Sequence, residues 1–99
     1  SLFDAEPPAA RPADVPGLPD DLPPSWAAAL EPETHKPYWA DLMRFVAAER
    51  AAHTVMPPAA DVFNAFKYTP LHHVKLLLLG QDPDPTPNVA HGLCFSVLP

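Results

Sequence analysis

The chain has one cysteine, Cys94, in 99 residues. A lone thiol cannot close an internal disulfide, so no covalent staple holds the fold, and a reducing setting suits it. Metal-ligand spacing is also lacking. His53, His72 and His73 stand at no zinc-type interval from Cys94, which argues against a metal site. Positive charge is short: 6 Lys and Arg face 12 Asp and Glu, for a net charge of −6. That is the wrong sign for a generic nucleic-acid binder, whose phosphate contacts come from Lys and Arg. No apolar run is long enough to cross a membrane. The first residues are acidic and carry no basic segment followed by an apolar one, so they do not read as a secretory signal. They also lack the arginine content of a transit peptide.

What is abundant is proline, with 16 residues, many of them before Ser25. Residues 1–24 combine Pro, Ala and Asp with few large apolar side chains, too few to offset the entropy of ordering them. They are expected to form a disordered or extended tail, leaving residues 25–99 as one small domain with a marginal core. Ser25 is placed to cap a short helix over Trp26–Leu30, ended by Glu31-Pro32. Pro37 suits the first turn of a longer helix reaching about Ala52. Within it Tyr38, Leu42, Phe45 and Val46 form an apolar stripe, and Asp41, Arg44, Ala48 and Arg50 take the other side. Met56-Pro57-Pro58 breaks the chain. A third helix over Ala59–Lys67 is expected to bury Val62, Phe63 and Phe66.

The run Val74-Lys75-Leu76-Leu77-Leu78-Leu79, closed by Gly80, reads as a buried strand of a parallel sheet. Its backbone needs at least one neighbour, and Gly92–Val97 is the other strand candidate. The fold class is therefore α/β, a helix-covered parallel sheet. Asp82 stands just past the strand, where ligands collect in open α/β sheets. A carboxylate there can orient water and offset positive charge on a reacting sugar. Its bland alternative is an aspartate capping a turn before Pro83. Phe95 could face a ligand or lie in the core with Leu93 and Val97 on one strand face.

The residues Gly80-Gln81-Asp82-Pro83, followed by Ala90-His91-Gly92-Leu93-Cys94-Phe95-Ser96-Val97, resemble the water-activating motif of family 1 uracil-DNA glycosylases. Leu22-Pro23-Pro24-Ser25-Trp26, Lys36-Pro37-Tyr38, His53-Thr54-Val55 and Pro57-Pro58 resemble the N-terminal half of that family, in the same order. The resemblance implies the N-terminal part of a parallel-sheet, helix-covered fold, truncated at Pro99. It implies base-excision DNA repair: hydrolysis of the N-glycosidic bond of deoxyuridine in single- or double-stranded DNA, without metal or organic cofactor. Asp82 matches the water-activating aspartate. Gln81 matches a residue whose backbone contacts the extruded uracil. Phe95 matches the ring on which that base stacks, and His91 matches a histidine expected to shape the loop through hydrogen bonding. The full-length enzyme would be a monomer, cytoplasmic, or nuclear in a eukaryote, with no membrane partner.

The sequence also departs from that family. Asp84 stands where the family carries the tyrosine that blocks the thymine methyl group. Loss of that ring is expected to relax base choice, and a second carboxylate near Asp82 is expected to raise one of the two pKa values. Asn88-Val89 replaces a common glycine and glutamine. The asparagine that reads the uracil edge, the histidine that stabilises the leaving base and the loop that wedges into the duplex have no counterpart in these residues. The 99 residues alone are thus expected to be inactive, and an inactive homologue serving as a binding module is the competing reading.

Overall fold

The computed structural model of the chain describes residues 11–99. Three α-helices form its helical part: α1 (Pro24–Leu30), α2 (Pro37–Ala52) and α3 (Asn64–Tyr68). Short 3-10 turns lie at Glu31–His35, Ala59–Asp61 and Leu71–His73. Both α1 and α2 begin at a proline, whose fixed φ suits the first turn and whose missing N–H is not needed there. Ser25 therefore lies inside α1 and does not cap it. Its Oγ accepts the backbone N–H of Leu71 at 3.1 Å and ties α1 to the turn after α3. The expected third helix is divided: a 3-10 turn at Ala59–Asp61, a break at Val62 and Phe63, and α3 from Asn64.

Helix α2 runs as expected from Pro37 to Ala52, but it buries a different face. Trp39 is its buried residue, whereas Tyr38, Leu42 and Phe45 of the expected stripe are exposed. The indole decides the orientation. Trp39 Nε1 donates to the Pro16 carbonyl at 2.8 Å, so the largest side chain of the helix turns toward the preceding segment. At the far end, Arg50 donates to the carbonyls of Val55 at 3.1 Å and Pro57 at 2.9 Å, closing the chain back on α2.

Residues 11–22 form a strap over the helices, contrary to the expectation of a disordered tail. Residues 1–10 of that expected tail lie outside the described residues. Val15 and Leu22 are buried. Arg11 donates to Thr34 Oγ1 at 2.9 Å and to the Val15 carbonyl at 3.2 Å. Asp14 takes both Arg44 Nε and Nη2, at 3.1 and 3.2 Å. Asp21 meets Lys67 at 3.0 Å. The composition argument failed because it counted apolar residues within the segment. The strap is held in part by polar groups pairing with the turn at Glu31–His35, with α2 and with α3, partners distant in sequence.

The aromatic centre lies between α1 and α3. Trp26 and Phe66 meet edge to face at 4.8 Å, and Phe63 lies 5.9 Å from Phe66. Trp26 Nε1 also donates to the Thr69 carbonyl at 2.6 Å. Val62 is exposed, unlike the expectation.

The segment 74–79 is extended, but it is not a buried strand. Leu76 and Leu77 are 80% exposed and Leu79 86%. Among the described residues, the one β-bridge is the antiparallel pair Ala90–Val97. A strand needs a neighbour for its backbone groups, and the described residues offer none to this run. The expected partner, Gly92–Val97, cannot serve. Gly92 and Phe95 have positive φ, at 93° and 59°, which turns the chain out of strand geometry.

Trp39→Phe keeps the ring but removes the donor to Pro16. It is expected to lower stability by about 1 kcal/mol, the net worth of one hydrogen bond. The midpoint of a urea titration checks this.

Candidate active site

The site is built from two facing limbs that follow the exposed leucine run. The first is Gly80–Pro85. The second is the hairpin of residues 89–98, closed at its neck by the Ala90–Val97 bridge and by the Leu98 N–H donating to the Val89 carbonyl at 2.8 Å. The limbs touch at Gly80 and Cys94. A Cβ on Gly80 would stand 2.7 Å from Cys94 Sγ, so glycine is what allows the close approach.

The hairpin is braced from within and from behind. His91 Nε2 and Ser96 Oγ are 2.8 Å apart across its width. Asn64, buried at the start of α3, donates its Nδ2 to the His91 carbonyl at 2.7 Å. The next residue, Gly92, has φ +93°, and a Cβ there would collide with the Asp61 carbonyl oxygen. Between these braces the tip Leu93–Phe95 projects. Phe95 is held in the left-handed region at φ 59° and is 84% exposed. For a bulky aromatic residue that backbone conformation is rare, and such outliers cluster at functional sites. The core reading of Phe95 does not hold, because no strand forms to carry Leu93, Phe95 and Val97 on one face.

Gln81, Asp82, Asp84 and Phe95 line one cavity of about 660 Å³, together with Pro57, Val62 and Cys94. That size is within the usual range of small-molecule sites. His91 is not in the lining; it stands behind the wall as a brace. The structure thus brings four of the five candidate residues to one concavity, with the fifth holding its edge.

The two aspartates differ in their surroundings. Asp84 Oδ1 accepts the Thr86 N–H at 2.8 Å, an Asx turn that stiffens Pro85-Thr86-Pro87. That amide hydrogen bond, with help from the Thr86 hydroxyl, holds the Asp84 carboxyl below the usual carboxylate range. The expectation that pairing raises one of the two pKa values therefore fails at Asp84. The turn-capping role weighed for Asp82 falls instead to Asp84. No group among the described residues hydrogen-bonds the Asp82 carboxylate, and Asp82 is exposed in the lining of the cavity.

Sequence reasoning missed Asn64, Pro57 and the conformational demand at Gly92. Asn64 left one faint trace, a polar residue inside Val62-Phe63-Asn64-Ala65-Phe66. Pro57 stood in the Pro57-Pro58 pair that carries part of the resemblance, but its place in the wall was not legible, since it depends on Arg50 pulling residues 55–57 toward α2. Among the described residues, no group of three or more His, Cys, Asp or Glu could hold a metal ion. No helix among them is long and apolar enough to cross a membrane.

Comparison with known proteins bears on the same residues. No protein-family model matches the chain. Curated relatives do. A uracil-DNA glycosylase of Deinococcus radiodurans is 52% identical over 98 residues, covering 99% of this chain and 38% of the relative. One from Deinococcus deserti is 56% identical over 82 residues, covering 83% of this chain and 33% of its own length. One from Agathobacter rectalis is 58% identical over 74 residues, with 75% and 33% covered. The chain therefore spans about a third of the length of the relatives it matches, less than the half expected. Identity above 50% across three-quarters or more of these residues places the chain in the uracil-DNA glycosylase family.

Proposed function

We propose that these residues form part of a DNA-repair hydrolase that releases uracil by cleaving the N-glycosidic bond of deoxyuridine in DNA. The observation that carries this reading is the cavity in which an open carboxylate, Asp82, and an exposed ring, Phe95, stand together. Cleaving the bond builds positive charge on the sugar and needs water on the face opposite the departing base. Asp82 would orient that water and offset the charge. The extruded base would exchange its lost stacking in the duplex for the face of Phe95. Gln81 would meet the base through its backbone. His91 would hold the hairpin limbs together through Ser96.

The α/β sheet belongs to the same proposal. Residues 74–79 are extended and apolar, and they become a buried strand once neighbours cover both faces and both edges. The relatives' unmatched two-thirds is the natural source of those neighbours. The uracil-edge asparagine, the leaving-group histidine and the duplex wedge would come from there as well. The whole enzyme is read as a cytoplasmic monomer acting on single- or double-stranded uracil-containing DNA.

A second reading, a binding module without catalysis, draws on two observations. Asp84 adds negative charge beside Asp82 in the same cavity, and the chain as a whole carries a net charge of −6. Both disfavour close approach of phosphates.

One experiment separates the two. Residues 11–99 replace the matching segment of the Deinococcus radiodurans uracil-DNA glycosylase, and uracil release is followed on a uracil-containing single strand. The glycosylase reading expects turnover by the chimera and none by the 99 residues alone. Asp82→Asn keeps the shape and removes the charge, and the rate is expected to fall by about two to three powers of ten. An unchanged rate in Asp82→Asn would show that water is activated elsewhere; an inactive parent chimera would favour the binding module.

Asp84 is tested in the same chimera. Asp84→Tyr is expected to raise release of uracil and lower any release of thymine, by removing a charge and restoring a ring to the wall. Unchanged rates on both substrates would place Asp84 off the path of the base. The turn itself has a pH signature. Because the folded pKa is lowered, the contribution of Asp84 to stability is full above its ordinary value of 3.8 and is lost as pH falls through the lowered value. A carbon-detected titration should give a midpoint below 3.8 for Asp84, and Asp84→Asn, which keeps an acceptor for Thr86, should abolish this dependence.

A further inference from the structure

Among the described residues, the hairpin that presents Phe95 is anchored to the helical part by one side-chain hydrogen bond, from a buried asparagine. Asn64 Nδ2 donates to the His91 carbonyl at 2.7 Å, across 27 residues of sequence. Asn64 is buried. Next to it, Gly92 rests so close to the Asp61 carbonyl that only a residue without a side chain fits, and a Cβ there would also stand 3.0 Å from Asn64 Cβ. Residues 61–64 are therefore a seat, and His91-Gly92 is the part of the hairpin that sits in it. From the seat the chain has two residues, Leu93 and Cys94, to travel before the left-handed turn at Phe95. His91 Nε2 then meets Ser96 Oγ at 2.8 Å on the returning limb. A displacement at Asn64 would pass through His91 to both ends of the tip.

We propose that Asn64, seated against Gly92, is a positioning residue that fixes the Phe95 ring as the platform for an extruded base. The platform role rests on the glycosylase reading; the seat does not. Asn64 touches no reacting atom. It acts by supplying the one donor aimed at the His91 carbonyl. An unpaired buried carbonyl is costly, and the hairpin would shift to find water or another donor. A carboxylate of the same size cannot donate, so Asn64→Asp removes the contact with little change in volume.

The test has two arms. In the 99-residue chain, amide hydrogen exchange is measured for Asn64→Asp and, separately, for Gly92→Ala. Both are expected to speed exchange at Ser96 and Leu98, whose amides are hydrogen-bonded to Leu93 and Val89 within the hairpin, by about tenfold, while residues 42–48 of α2 keep their protection. A rise spread equally over α2 and the hairpin, or no rise in either variant, overturns the inference. In the chimera described above, Asn64→Asp is expected to raise KM for the uracil-containing strand by about tenfold and to change kcat by less, as for a lost binding platform. A fall in kcat with KM unmoved overturns the platform role. A parent chimera without activity sinks the glycosylase reading itself, and the exchange measurement still decides whether Asn64 positions the hairpin.

Discussion

Among the described residues, one side-chain hydrogen bond joins the helical part to the hairpin of the candidate site, from the buried Asn64 to the His91 carbonyl. The features of the site that bear on chemistry lie on the far side of it. The bond holds one limb of the hairpin against residues 61–64, and that fixes where Phe95 turns outward and where Cys94 meets Gly80. The cavity between the two limbs follows from that spacing. Its floor is then completed from another direction, by Pro57, which Arg50 draws in from α2. A short helix and one arginine thus set the walls of a site whose candidate catalytic residue belongs to neither.

Polar contacts of this kind carry much of the remaining structure too. The described core is small: Val15, Leu22, Trp39 and Ala90 are its buried apolar residues. Around it, Arg11, Arg44, Lys67 and the Trp39 indole each reach from one segment to a distant one. Pairs such as Asp14–Arg44 are exposed and individually weak. Their value is in register: they specify which part of the strap lies over which turn of α2.

Helix α2 and the loop motif were legible in the sequence because both depend on local signals. Pro37 opens the helix, good helix formers fill it, and Gly80-Gln81-Asp82-Pro83 has a composition few connectors share. What was not legible depends on contacts between distant residues. The buried face of α2 was misread because spacing weighs Tyr38, Leu42 and Phe45 equally with Trp39, whereas the Pro16 carbonyl selects the indole. The strap was misread because its partners are elsewhere in the chain. The strand at 74–79 was inferred from apolarity, which reports that a segment seeks cover and not that cover is present. At the site, the motif pointed to Asp82 and Phe95, and both line the same cavity. The division of labour between the two aspartates turned on one amide, that of Thr86, two residues beyond Asp84.

The uncovered leucine run has a colloidal consequence. Lys75 is its sole charge, and the run has the strand-forming, weakly charged character that invites edge-to-edge pairing between copies. What keeps copies apart is the net charge of −6, a long-range repulsion. That repulsion is screened beyond about 8 Å at physiological ionic strength, while apolar attraction is not. Salt therefore removes the barrier and leaves the attraction. The ionic strength of the solvent therefore bears directly on whether these residues stay dispersed or assemble through their leucines.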